Sequence, residues 1–132
     1  MKSTWTVGEI AGKFELATHV LRHWEDCGLL SPARDTAGRR RYDDADVVRI
    51  AVILRSKDAG MSLPQIAVLL DAESVDRHRV LGEHIADLDR RMAEMARSRQ
   101  MTLHALRCRA HDIAQCPNFR AGVDDLVAAA GA

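Results

Sequence analysis

The stretch HALRCRAHDIAQCPNF places Cys108 and Cys116 seven residues apart, with His104 and His111 close by. Thiolates and imidazoles bind soft and borderline metal ions, so this is the segment that offers site chemistry. Two thiolates suffice for linear coordination of a soft ion. Four-coordinate zinc through His104, Cys108, His111 and Cys116 is geometrically possible, because positions 104, 108 and 111 share a helical face if a helix persists there. The spacing matches no standard zinc motif. A redox or electrophile sensor would use the same cysteines, and structural thiols in a protein answering a small molecule are the third reading; all three stay open. The remaining cysteine, Cys27, stands beside Gly28-Leu29-Leu30 and reads as a small buried hydrophobe. Three unevenly placed cysteines make no disulfide framework, which suits a reducing compartment.

A second concentration of chemistry lies in DTAGRRRYDD, where Arg39, Arg40 and Arg41 follow Arg34 with only Asp35 to oppose them. The 132 residues carry 19 basic and 19 acidic side chains, so a nucleic-acid surface must be local rather than a property of the whole chain. No nucleophile–base–orienter set, phosphate-binding glycine loop or carboxylate pair stands out, and His84 and Asp87 read as solvated surface, so an enzyme is not expected. The opening MKSTWTVGEI has no signal-peptide stretch and no run is long enough to span a membrane; the cytoplasm is the expected location.

Helices must position these groups. Apolar residues recur at helical spacing from Val7 to Phe14 and again through Val20-Leu21-Trp24, with a tight turn at Glu15-Leu16-Ala17-Thr18 between them, which reads as a helix-turn-helix. Gly28, Pro32 and Gly38 then break the periodicity and leave room for a small hairpin, a candidate wing. Asp43 and Asp46 open a helix expected to stop near Gly60, and Ser62-Leu63-Pro64-Gln65 carries the capping serine, first-turn proline and capping-box glutamine of another. From about Ser74 to Arg107, Leu81, Ile85, Leu88, Met92, Met95, Arg99, Thr102 and Leu106 fall at alternating steps of four and three. This heptad seam lies on a helix ~45 Å long, more than so small a domain covers, and predicts self-association. Phe119, Val123, Leu126 and Val127 suggest a short closing helix after Pro117.

This order of parts resembles the MerR family of dimeric bacterial transcription regulators. The resemblance rests on Val7-Gly8-Glu9-Ile10-Ala11, Val20-Leu21-Arg22-His23-Trp24-Glu25 with Gly28-Leu29-Leu30, Gly38-Arg39-Arg40-Arg41-Tyr42, and Leu54-Arg55 leading to Ala59-Gly60-Met61-Ser62-Leu63. It implies an all-α fold with a small β wing: a winged helix-turn-helix DNA-binding domain over 1–73, a coiled-coil dimerisation helix over 74–107, and an effector-sensing loop and C-terminal helix over 108–132. The implied partners are a second copy of the chain, seamed through Leu81, Ile85, Leu88, Met92, Met95 and Leu106, then double-stranded promoter DNA and the RNA polymerase on it, with no membrane. Such dimers bend and untwist promoter DNA in answer to an effector. The distortion costs on the order of several kcal/mol, which phosphate contacts must supply.

Residue by residue, the resemblance makes Thr18, His19, Arg22 and His23 of the second helix and Arg39, Arg40, Arg41 and Tyr42 of the wing the DNA-contacting set. Arg40 matches the wing arginine that clamps backbone phosphate, and Arg22 matches the recognition-helix arginine. Arg39 occupies a position usually held by tyrosine, and Arg41 a variable one. Trp24 matches a core aromatic. Glu15 stands where glycine is usual, so the turn is expected to adopt a conformation open to any side chain. Ala17 stands where a capping serine or threonine is common, which leaves Thr18 as the nearest cap. In the tail, the Cys-x7-Cys-Pro arrangement looks like the copper-sensing pattern and implies Cu(I) or another soft ion ahead of zinc. The thiol-bearing position at the far end of the dimerisation helix matches Glu73 or Ser74, neither of them soft.

Overall fold

The computed structural model describes residues 4–109 and 112–131, which divide into two compact units, one ending at His84 and the other beginning at Ile85. In the first unit, α1 (Val7–Phe14) opens on a reciprocal cap in which the Thr6 hydroxyl accepts from the Glu9 amide and the Glu9 carboxylate accepts from the Thr6 amide. It turns Ile10 and Ala11 inward against α2 (Thr18–Asp26), which buries Leu21 and Trp24.

The link between them departs from expectation twice. Glu15 takes the left-handed conformation itself, with φ 54° and ψ 42°, so the turn keeps a glycine-type geometry and the glutamate accommodates it. The geometry lets Leu16 N–H reach the Ala11 carbonyl at 2.9 Å and close α1. Thr18, expected as the nearest cap of α2, is instead its first helical residue; Ala17 is the cap position and has no side chain to offer.

The wing is the antiparallel pair β1 (Ala33–Arg34) and β2 (Arg40–Arg41), with Ala33 opposite Arg41 and Arg34 opposite Arg40. Its turn is held by Asp35, whose Oδ1 accepts from the amides of Ala37 and Arg39, both at 2.9 Å. Gly38, at φ 78°, supplies the left-handed step that returns the chain into β2. Beyond the wing, Trp5 and Tyr42 exchange two backbone hydrogen bonds of 2.8 Å, fastening the chain ahead of α1 to the wing's exit.

Both later start signals act as read. Asp43 and Asp46 cap α3 (Asp44–Asp58) reciprocally, and Ser62 and Gln65 do the same for α4 (Leu63–Leu70) with Pro64 in its first turn. Ile50, Ile53 and Ile66 from these helices join Ile10, Leu21, Trp24, Leu29, Leu30 and Tyr42 in one fully buried core. Each such side chain contributes about 1.5–3 kcal/mol on leaving water.

The long helix α5 runs from Arg77 to Arg107. His84, expected on solvated surface, is buried, and its Nε2 meets no partner among the described residues. In the second unit the seam of α5 is largely bare: Ile85, Met92, Met95 and Leu106 are all exposed, while Leu88 is half-buried, as is Leu81 in the first unit. After α5 come a 3-10 turn (Ile113–Gln115), α6 (Pro117–Ala121) and α7 (Asp124–Gly131), so the closing helix expected after Pro117 is two short ones, parted at Gly122 and Val123. Gly122 lies against the end of the Met101 side chain, 2.7 Å from where a Cβ would stand, which excludes a larger residue there without a shift.

Candidate nucleic-acid interface and thiol site

On α2 the inward positions Leu21 and Trp24 leave His19, Arg22 and His23 exposed on the opposite side, with Thr18 half-buried at the helix start. Between this helix, the wing and the start of α1, Arg22, Arg34, Arg39, Arg40 and Arg41 line with Thr6 a cleft of about 350 Å³. Five arginines around one concavity concentrate positive charge of the kind that suits a phosphate backbone.

The arginines are not equally free. Glu25 of α2 takes Arg34 on Oε1 at 3.0 Å and Arg40 on Oε2, while Arg39 pairs with Asp35 at 3.3 Å and Arg41 donates to Thr4 Oγ1 at 2.8 Å. Arg39 therefore reinforces the turn: its backbone N–H first, then that of Ala37 and its own guanidinium, hold the Asp35 carboxyl below the usual carboxylate range against the effect of burial. The hydrogen bond to Glu25 holds Arg40 still more firmly in its charged form. Glu25 thus positions the wing arginines, a role sequence reasoning does not reach, because a pairing across 15 residues leaves no local pattern.

Two expectations are corrected here. Tyr42, assigned to the DNA-contacting set, is completely buried, and burial pushes its hydroxyl above the usual tyrosine value; its backbone carries the bridge to Trp5, so its ring belongs to the core. Cys27, read as a buried hydrophobe, is exposed at the end of α2, its Sγ 3.6 Å from Nε2 of His23. The chain leaves the helix at Cys27, and the inward place is filled by Leu29, whose amide bonds the Trp24 carbonyl at 2.9 Å.

The tail brings together three of its four proposed ligands. The last turn of α5 presents His104; Cys108 lies just past the helix end, its amide still bonded to the His104 carbonyl at 2.8 Å. The 3-10 turn, capped by Asp112, returns the chain so that Cys116 precedes α6. Nε2 of His104 then stands 3.0 Å from Sγ of Cys116, the Cys108 thiol donates to the same sulfur at 3.5 Å, and the three ligand atoms lie within 4.8 Å of one another. The helical face imagined through 104, 108 and 111 does not exist in that form, since α5 stops at Arg107; a chain reversal supplies Cys116 instead. His111 lies outside the described residues.

His104 draws the Cys116 thiol down to about 7, with the Phe119 amide, the Cys108 thiol and the Asn118 amide acting in the same direction and burial opposing them. The amides at the head of α6 act without closing a capping hydrogen bond to the sulfur. An imidazole and two sulfurs at these separations fit a metal ion. Ligands ~2.0–2.3 Å from a tetrahedral zinc lie roughly 3–4 Å apart, as Cys116 does from His104 and from Cys108, whereas two sulfurs in a linear arrangement would have to stand about 4.5 Å apart.

Fold and cleft together define a winged helix-turn-helix protein with an arginine-lined cleft beside its wing. Residues 5–73 match the description of the MerR HTH family regulatory protein, and residues 47–105 match that of the MerR, DNA binding family. The chain belongs to the MerR family. It is 33% identical over 119 residues to Heavy metal-dependent transcription regulator 2 of Rhizobium meliloti, covering 84% of this chain and 81% of that protein. It is 36% identical over 98 residues to the HTH-type transcriptional activator TipA of Streptomyces coelicolor, covering 68% of this chain but only 39% of that activator's length.

Among solved structures, HiNmlR, a MerR family regulator lacking the sensor domain and bound to promoter DNA, aligns with TM-score 0.62 and 25% identity over 78% of this chain and 87% of that one. PbrR691 from Ralstonia metallidurans CH34, in complex with lead(II), aligns with TM-score 0.57 and 26% identity over 89% and 98%. The relatives are transcription regulators rather than enzymes. Among the described residues no helix is long and apolar enough to cross a membrane.

Proposed function

We propose that the chain works as a homodimer on double-stranded promoter DNA and that a soft or borderline metal ion, held by His104, Cys108 and Cys116, is its effector. One observation carries the reading: three metal-ligating atoms converge within 4.8 Å around a thiol poised to ionise near neutral pH. The heavy-metal regulator of Rhizobium meliloti and the lead(II) complex of PbrR691 support it by kinship. The imidazole and the close sulfurs favour a bent, three- or four-coordinate ion over the linear Cu(I) arrangement.

On DNA, His19, Arg22 and His23 of α2 face the major groove, and the wing arginines hold the backbone while the dimer bends and untwists the promoter for RNA polymerase. The exposed seam of α5 is the surface the partner copy covers. Metal binding at the tail changes the energy of the distorted complex and so its population.

The test is a competitive titration of the reduced protein with Cu(I), Ag(I), Hg(II) and Zn(II), read by metal binding and by affinity for a palindromic promoter fragment. Tight binding that shifts the DNA response, and that a Cys108→Ser/Cys116→Ser double variant loses, supports the reading. Binding by neither protein overturns the metal while leaving the DNA-binding regulator intact.

A further inference from the structure

The two sulfurs of the tail are already in contact. Cys108 Sγ stands 3.5 Å from Cys116 Sγ, so an approach of about 1.5 Å separates the pair from a disulfide bond of ~2.05 Å. We propose that Cys108 and Cys116 form a reversible intramolecular disulfide on meeting a hydroperoxide, with Cys108 the thiol that attacks the peroxide and Cys116 the thiol that closes the bond.

Exposure sets the order. Cys116 is only 4% exposed, whereas Cys108 is half-buried past the end of α5, so a small oxidant arriving from solvent meets Cys108. The Cys108 sulfur attacks one oxygen of the peroxide; the O–O bond breaks, a sulfenic acid forms on Cys108, and the second oxygen leaves as water or as the corresponding alcohol. Cys116 sulfur then attacks the Cys108 sulfur, the S–O bond breaks, and the hydroxyl departs with the Cys116 proton as a second water. Two thiols are oxidised by two electrons and one peroxide is reduced by two. The nearness of Cys116 favours this closure over further oxidation of the sulfenic acid.

The inference rests on the reading of this cluster as the effector site, because a disulfide removes both thiolates that a metal would need. Metal loading and oxidation then exclude each other. A loaded chain resists peroxide, and an oxidised chain cannot answer metal until it is reduced.

The experiment uses the full chain with the exposed Cys27 replaced (Cys27→Ser), reduced and freed of metal, then given a small molar excess of hydrogen peroxide. Free thiols should fall from two to none, the mass should drop by two hydrogens, and a peptide linking Cys108 to Cys116 should appear; a dithiol reductant should restore both thiols, and prior loading with Ag(I) should block the loss. In Cys116→Ser a dimedone-trapped sulfenic acid should accumulate on Cys108. Mapping the same cross-link in the wild-type chain guards against an effect of the Cys27 substitution on folding. Thiols that stay reduced, or that yield only interchain disulfides or sulfinic acid, overturn the proposal. Metal binding without the cross-link sinks this inference alone, and the cross-link without metal binding sinks only the metal reading.

Discussion

Glu25 on α2 and Arg40 on the wing form an ion pair whose side chains are only 21% and 25% exposed, and the other carboxylate oxygen of Glu25 holds Arg34. One carboxylate thus ties both wing strands to α2. A two-stranded ribbon of four residues has little stability of its own, so this tie and the Trp5–Tyr42 bridge fix where the wing arginines stand.

Replacing Glu25 by Gln should therefore weaken binding to a specific promoter fragment even though it removes a negative charge from the surface proposed to face DNA. Arg40→Ala should weaken binding across sequences and lower the slope of log K against log salt by about one. Fluorescence anisotropy over a salt series checks both. Tighter specific binding by Glu25→Gln would mean the carboxylate acts only as a repulsive charge.

Glu15 holds a conformation that costs a residue with a Cβ more than it costs glycine. Glu15→Gly should raise unfolding free energy by about 0.5–1 kcal/mol, after allowing for the greater entropy of glycine in the unfolded chain. The shift appears in the denaturation midpoint at unchanged slope. A loss of stability would show that the exposed glutamate makes a compensating interaction.

Ala17→Ser should stabilise the protein by about 0.5–2 kcal/mol, because α2 starts without any side chain accepting from its first amides. Thermal or urea unfolding measures it, and Ala17→Val serves as the control, since valine cannot cap.

Met92 and Met95 are 70% and 71% exposed among the described residues, so charges there should leave the isolated fold alone. Met92→Asp with Met95→Asp should convert the protein to monomer in sedimentation analysis at unchanged helicity, and its affinity for a two-half-site fragment should fall steeply. A dimer that survives both changes would put the interface elsewhere.

The contrast between what could and could not be read beforehand is physical. Thr6–Glu9, Asp43–Asp46 and Ser62–Gln65 are caps made within four residues, so the starts of α1, α3 and α4 follow from local chemistry. Tyr42, Cys27 and His84 were misplaced because burial of a single side chain depends on neighbours brought from distant segments. The wing arginines were visible as a cluster, but their division between Glu25, Asp35 and Thr4 was not. In the tail the ligand types were legible, while the reversal that sets Cys116 against His104 depends on where α5 stops and on the turn capped by Asp112.

That reversal gives the site its pH dependence. The Cys116 thiol sits at about 7 instead of its ordinary value of 9.0, chiefly because His104 lies against it, so the fold favours the thiolate. Stabilisation from this source is present above the ordinary thiol value and is lost as pH falls through 7. Metal binding needs the thiolate, so affinity should also drop as protons compete below that point. The ultraviolet absorbance of thiolate, followed by titration of a metal-free Cys27→Ser chain, should show a midpoint near 7, and His104→Ala should move it upward toward the ordinary value. Because no metal is present in that titration, the shift separates the effect of His104 on the sulfur from its service as a ligand. An unmoved midpoint would assign the lowering to the amides at the head of α6, leaving His104 with a ligand's role alone.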